Sequence, residues 1–293
     1  MSRMPLLRQA PLSAEEFRLL RDIVYEHAGL HFDDDATFLF ERRLSERVDA
    51  LGLEGFYAYY KHLRFSPRGK AELDEMIERL VTRETYFFRQ EYQLRAFRDQ
   101  ILPELRAQNA ARRRLTIWSA GCATGEEVYT IAILVAESGL FEGWDVKIVG
   151  SDISRTSVAA ARRGVYREGS FRTTPSATRQ RWFYEVQDGW EVIQDLRRPC
   201  YFGQLNLMDP SHALMVSRVD AIFCRNVLIY FDVKSRKKII ESFYERLGPG
   251  GYLLLGHSES LLNLTTAFEL VHLREDLVYR KPLATGRSEG IDS

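Results

Sequence analysis

In the N-terminal part of the chain, hydrophobic residues return every three or four positions, the period of a helix with one buried face. Phe17, Leu20, Val24 and Ala28 form one such stripe in SAEEFRLLRDIVYEHAGL. Ser13 followed by Glu16 has the spacing of a capping box, and Gly29 closes the stretch. A second helix is predicted from about Asp35 to Leu51, with aspartates before it and Gly52 after it. GFYAYYKHL predicts a third helix and GKAELDEMIERLV a fourth. After TRETYFFRQ, the pattern predicts an amphipathic helix from about Tyr92 to Gln108. These elements imply an all-helical domain over 1–90 and a linker helix over 91–114.

At Leu115 the period changes. LTIWSAG and DVKIVGSD are short apolar runs ending in small or acidic residues, and each precedes a helical pattern, EEVYTIAILVAESG and SRTSVAAARRG. After an irregular middle, RVDAIFCRN is a strand, DVKSRKKIIESFYERL a helix, YLLLGHS a strand, and FELVHLREDLVYRK a closing pair of strands. Alternation of this kind predicts a doubly wound, mostly parallel sheet with its ligand at the carboxyl ends of the strands. The fold class is therefore α/β: a Rossmann-like domain over 115–284 with a C-terminal antiparallel hairpin, preceded by the small all-α domain. A short antiparallel β insert is expected at about 182–203, around QDGWEVIQDL, and a disordered tail over 285–293.

Composition narrows the classes. With 293 residues there is room for two domains, and 45% hydrophobic with 28% charged residues is ordinary for a globular protein. The formal net charge is zero, which argues against a partner captured by bulk charge, so no nucleic acid is expected. Apolar runs such as Tyr129 to Val135 are far short of a membrane span, and MSRMPLLRQAPLSAEEF lacks the apolar core of a signal peptide. Cys122, Cys200 and Cys224 are scattered without metal-type spacing, so reduced thiols, no metal and a cytoplasmic location are expected.

The candidate chemistry lies in WSAGCATGEE, residues 118–127. Gly121 and Gly125 fall between a strand and a helix, where backbone must approach a ligand. The spacing is neither G-x-G-x-x-G nor a P-loop, and Glu126 and Glu127 on the first helical turn would repel a pyrophosphate. They suit a ligand with a cationic amino group, although one of them is expected only to favour the helix dipole. Asp152 ends the second strand, where an acid holds ribose hydroxyls. A ribose without phosphate and a cation near the loop together describe S-adenosyl-L-methionine. CRNVLIYFD stands where DNA adenine methyltransferases carry a proline-rich motif, and it has no proline. Of Tyr86, Phe87 and Phe88 before Arg89, at least two are expected to be core.

TRETYFFR, WSAGCATGEEVYTIAI, SDIS, DAIFCRNVLIYFD and LGHSES together resemble the chemotaxis receptor methyltransferases, the CheR family, over about Phe17 to Tyr279. The resemblance implies a helical domain, a domain binding S-adenosyl-L-methionine with S-adenosyl-L-homocysteine as product, and methylation of glutamate carboxylates on chemoreceptor cytoplasmic helices. Besides Gly121 of the loop, which is expected to contact the cofactor through its backbone, it implies cofactor contacts at Thr85, Arg89, Glu127, Asp152, Asn206, Leu207, Arg225 and Asn226, with Arg89 and Tyr230 nearest the transferred methyl. Arg83 departs from the family, which often has asparagine there. A glutamate nucleophile is ionised at neutral pH, since its ordinary pKa is about 4.3, so positioning rather than base catalysis is expected, and His257 is expected to be structural. Arg43 and Arg47 on the second helix are the expected docking residues for acidic receptor helices. The short turn at Asp188-Gly189 implies no dependence on a C-terminal receptor pentapeptide, and a monomer is expected. A catalytically silent protein of the same fold that only binds the cofactor, and a small-molecule or RNA methyltransferase, are the alternatives.

Overall fold

The structure is a computed structural model that describes residues 11–209 and 218–283. The tail expected at 285–293 and most of the N-terminal leader stretch lie outside the described residues. The chain divides into two compact units, one of residues 1–82 with Tyr230–Asp232, the other of Arg83–Ile229 and Val233–Ser293.

The first unit holds four helices: α1 (Ala14–Ala28), α2 (Thr37–Ala50), α3 (Phe56–Phe65) and α4 (Gly69–Leu80). The capping box at Ser13 and Glu16 forms as expected, and Gly29 ends α1 with φ 68° while its N–H donates to Tyr25 O. The predicted stripe is buried: Phe17, Leu20, Val24 and Ala28 are at most 2% exposed. Phe17 meets Phe40 of α2 edge-on at 5.0 Å between centroids. The segment Tyr230–Asp232 groups with these helices through a Leu30–Phe231 bridge, the His31 N–H donating to Tyr230 O, and Tyr25 Oη donating to Asp232.

The second unit begins with α5 (Glu91–Ala96) and α6 (Leu102–Gln108), joined by a π turn over Phe97–Ile101. The sequence reading makes this a linker, but it is part of the second unit's core. Phe97, Ile101, Leu102 and Leu105 are fully buried, and Phe97 packs edge-on against Phe223 at 4.9 Å. The boundary therefore falls at 82/83 rather than 90. Next come β1 (Arg114–Ala120), α7 (Glu126–Ser138), β2 (Asp145–Asp152), α8 (Arg155–Arg163) and β3 (Val165–Tyr166). They are followed by α9 (Ser176–Trp182), β4 (Phe183–Val186), β5 (Gly189–Val192), α10 (Gln194–Arg197) and β6 (Cys200–Gln204). The chain then forms β7 (Val219–Cys224), α11 (Val233–Arg246), β8 (Leu247–Leu255), β9 (Glu269–His272) and β10 (Leu277–Arg280).

The main sheet has the order β6-β2-β1-β7-β8-β10-β9, parallel except for the β10 pairings. Strand order reverses between β1 and β7, and in sheets of this kind ligands bind at such a switch point, beyond the carboxyl ends of the strands. β1 and β7 are buried along nearly their whole length, as strands covered on both faces must be. The insert differs from expectation. Its antiparallel sheet is β3-β5-β4 and so begins at Val165, while Cys200–Gln204, expected inside it, is the parallel edge strand of the main sheet. A five-residue strand with half-buried residues carries no clear period, so its partner could not be read locally.

Candidate active site

The loop after β1 is shaped by its glycines. Gly121 has φ 79°, and a Cβ there would sit 2.4 Å from Val227 Cγ2. Gly125 has φ 95°, and a Cβ would sit 2.7 Å from that of Ala161. Either substitution would push this loop off the neighbouring elements and strain its backbone. Asp152 fixes the same loop from β2, one carboxylate oxygen accepting from Ala123 N–H at 2.8 Å and the other from Ser154 N–H at 2.9 Å. Asp152 O also accepts from Leu205 N–H, which brings Asn206 and Leu207, both half-buried, beside this strand end. Asn206 Oδ1 accepts from Met208 N–H at 3.0 Å.

The two loop glutamates part company. Glu126, 3% exposed, accepts from Thr124 Oγ1 at 2.6 Å and Ser170 Oγ at 3.0 Å, and burial pushes its carboxyl up. It braces the loop. Glu127 retains 15% side-chain exposure, accepts from Ser119 Oγ at 2.7 Å and meets Arg225 Nη1 at 3.2 Å. Burial raises its pKa, and the charges of Arg225 and Arg89 pull it back only in part. Arg225, its side chain 2% exposed, is lowered by burial. Its other amino group, Nη2, donates to Arg89 O and to Gln90 Oε1. One buried guanidinium thus ties β7, α7 and the TYFFRQ segment together.

That segment is pinned on both sides. Phe87 is fully buried among Tyr166, Phe171 and Phe183, with centroids 4.9–5.0 Å away, its N–H donates to Ser170 O and its carbonyl accepts from Thr173 Oγ1. Phe88 N–H donates to Thr130 Oγ1. Phe87 is therefore core and Phe88 packs half-buried against the same cluster, as expected of at least two of these aromatics. Arg89 lies over Tyr86 at 5.7 Å and donates to Glu84 O at 3.1 Å. Thr85 is half-buried in the same segment. Phe88 and Gln90, on either side of Arg89, have φ 59° and 57°; Asn226 has 59° and Ala123 has 45°. Each such residue costs about 1–3 kcal/mol, and strain gathered in this way marks a functional site.

Two polar atoms here are buried and unpartnered, Arg225 Nε and Asn226 Oδ1. Leaving such groups unsatisfied costs about 1–3 kcal/mol each, so a ligand that reaches them is favoured. The donor set fits S-adenosyl-L-methionine: carboxylates at Glu127 and Asp152, and amide groups at Asn206 and Asn226. Arg89, Glu127, Asp152 and Arg225 are brought together around the switch point. Tyr230 is grouped with the helical unit and is 36% exposed.

Arg43 and Arg47 correct the sequence reading. Arg43 Nη1 donates to the carbonyls of Arg79, Leu80 and Val81 at 2.8–3.2 Å, closing the carboxyl end of α4. Arg47 Nε donates to Glu72 Oε1 at 2.8 Å, and its Nη2 pairs with the other oxygen of that 5% exposed carboxylate. Both are held by internal partners because α2 packs on α4, and both are half-buried rather than open to solvent. On α2 the exposed side chains include Phe38, at 69%, and Arg42 above its ring at 5.9 Å.

Sequence reasoning misses Glu259. Its carboxylate accepts four main-chain N–H groups, those of Asn226, Val227, Ile229 and Gly256. LGHSES carries the residue, but only the acid three positions beyond Gly256 hinted at a turn-closing role. His257 is exposed and touches Tyr92 edge-on at 6.3 Å.

Residues 15–81 match the family described as CheR methyltransferase, all-alpha domain, and residues 83–277 match the CheR methyltransferase, SAM binding domain. The chain is 33% identical to chemotaxis protein methyltransferase 2 of Vibrio cholerae, over 94% of this chain and 96% of that one. It is 35% identical to a chemotaxis protein methyltransferase of Borreliella burgdorferi, over 85% and 89%. It is 37% identical to a probable chemotaxis protein methyltransferase of Rhizobium etli, over 81% and 89%. The chain belongs to the CheR methyltransferase family: it is a methyltransferase that takes S-adenosyl-L-methionine as cofactor. Among the described residues, no helix is long and apolar enough to cross a membrane.

Proposed function

We propose that the protein esterifies glutamate side chains on the cytoplasmic helices of chemoreceptors, acting in the cytoplasm as a monomer. What supports this reading most is the polar constellation at the switch point, Glu127, Arg225, Arg89 and Asp152 with the unpartnered Asn226 Oδ1, in a chain similar over most of its length to chemotaxis methyltransferases.

When bound, the cofactor supplies an electrophilic methyl on a sulfonium. Glu127 takes its amino group, Asp152 the ribose hydroxyls, and Asn206, Leu207 and Asn226 the base and its surroundings. The incoming glutamate is already a carboxylate at neutral pH, its ordinary pKa being about 4.3. No residue need remove a proton from it. The work left to the protein is alignment and exclusion of water, and alignment is worth about 7–11 kcal/mol at its upper range. Arg89 orients the reactants without neutralising the nucleophile, and Tyr230 holds the target in line. The helical unit receives the substrate, with Phe38 and Arg42 of α2 on its open face. The β4–β5 hairpin turns in two residues, Gln187 and Asp188, before Gly189, and recognition does not depend on a terminal receptor pentapeptide.

The test is incubation with methyl-labelled cofactor and receptor-containing membranes. Base-labile label on a receptor band is expected. Label that survives base, or none on receptor, overturns the reading.

A further inference from the structure

Glu259 follows β8 and lies outside every role assigned above except the holding of backbone. Oε2 accepts from Asn226 N–H at 2.8 Å and Gly256 N–H at 2.6 Å; Oε1 accepts from Val227 N–H at 2.9 Å and Ile229 N–H at 3.3 Å. Four main-chain donors converging on one carboxylate form an anion nest filled from within the chain. Three of the four belong to the stretch that leaves β7, and the first of these, Asn226, is held at φ 59° with its side-chain Oδ1 buried and unpartnered. A non-glycine residue stays in that conformation only where its surroundings over-determine it. Gly256 completes the fit: a Cβ there would fall 2.7 Å from both Asn226 N and Glu259 Oε2.

We infer that Glu259 is a positioning residue that holds Asn226 in its left-handed conformation and so aims the Asn226 amide at the cofactor. The inference rests on the reading of Asn226 as a cofactor contact. The carboxylate does not touch the ligand; it acts through the backbone of its neighbour. An amide in its place offers one acceptor oxygen and turns an N–H₂ group toward N–H donors, so Glu259→Gln breaks the nest with almost no change in volume.

The experiment is a double-mutant cycle read by calorimetric titration with S-adenosyl-L-homocysteine, on full chains whose cooperative thermal unfolding has been verified. Asn226→Ala and Glu259→Gln are each expected to weaken binding about tenfold or more, by about the loss of one hydrogen bond to a well-placed group. Together they are expected to weaken it no further than Asn226→Ala alone, because Glu259 then has nothing left to aim. If the two effects multiply, or if Glu259→Gln binds like wild type while Asn226→Ala does not, the positioning role is wrong and the Asn226 contact stands. If Asn226→Ala binds like wild type, the Asn226 contact fails and takes the inference with it. Should Glu259→Gln not fold, Glu259→Asp, which keeps the charge one methylene short, runs the same cycle with the same criteria.

Discussion

Glu72 in the helical unit and Glu127 in the sheet unit are both largely buried carboxylates facing an arginine, yet their pKa values move in opposite directions. Burial pushes Glu72 up, but two contacts from Arg47 and a 2.9 Å hydrogen bond from Tyr59 Oη outweigh it, and the carboxyl ends below its ordinary value. Glu127 has a single 3.2 Å contact to Arg225, whose guanidinium is shared with Arg89 O and Gln90, plus one hydroxyl, and burial wins. The first acid is satisfied by its own unit. The second is left under-compensated, as a carboxylate awaiting an external cation would be. An arginine beside an acid thus says little by itself; the count and quality of hydrogen bonds decide whether the pair is structural or poised.

The largest expected effect breaks the structural pair. Arg47→Ala leaves the Glu72 charge buried, and removing one partner of such a pair costs about 3–5 kcal/mol. Thermal or denaturant unfolding of the variant should show a loss of that order. Charge reversal at Arg47, expected from sequence to affect only docking, should likewise unfold the helical unit. A fully stable Arg47→Ala protein would show that the pair contributes nothing and would erase the contrast with Glu127.

Next comes the poised acid. Ligand binding needs Glu127 ionised, and its carboxyl in the free protein titrates above the ordinary value of about 4.3 because it is buried. Affinity for S-adenosyl-L-homocysteine should therefore fall as pH drops through that raised value, approaching about tenfold per pH unit. Glu127→Gln should bind about ten- to a hundredfold more weakly, from loss of a charge-assisted bond worth roughly 1.5–3 kcal/mol, and should lose this pH dependence. Calorimetry across pH decides; an unchanged profile in Glu127→Gln would assign the titration elsewhere.

How much of this was legible follows the same physics. The helical stripe of α1, the strand–helix alternation and the glycine loop are local patterns, and they lie in the structure where the periods put them. Arg43 and Arg47 were misread because a helical period shows which residues share a face, not that α4 covers that face. Glu126 and Glu127 are adjacent and identical in sequence, and only their neighbours, Thr124 and Ser170 against Ser119 and Arg225, separate the brace from the poised acid. Glu259 was invisible because three of its four partners are backbone N–H groups some thirty residues away, and backbone leaves no mark on composition.

A smaller effect tests why Glu72 stays low. Tyr59→Phe removes one hydrogen bond to the carboxylate and keeps Arg47. The stability lost should be about 1.5–3 kcal/mol at neutral pH. Because the folded-state pKa of Glu72 is depressed, its contribution is present above the unfolded value of about 4.3 and is lost as pH falls through the folded one. In Tyr59→Phe that pKa rises toward the ordinary value, so the loss should set in at higher pH. A variant whose acid unfolding coincides with wild type would leave Arg47 alone responsible for the shift.

The smallest expected effect sets the baseline for the whole comparison. Arg64 and Glu26 also form a close ion pair, at 2.6 Å, but both side chains are about half exposed, at 46% and 55%. Water and salt screen such a pair, and ordering two long side chains offsets most of what attraction remains. Glu26→Gln should leave the unfolding midpoint within measurement error, at low and at high salt. The distance is within about 0.1 Å of the shortest in the Glu72 cluster, so the difference in outcome would isolate burial as the deciding variable. A clear loss on Glu26→Gln would mean that pairing itself, rather than the enclosure of the carboxylate, stabilises the helical unit, and the separation drawn between Glu72 and Glu127 would then have to rest on geometry alone.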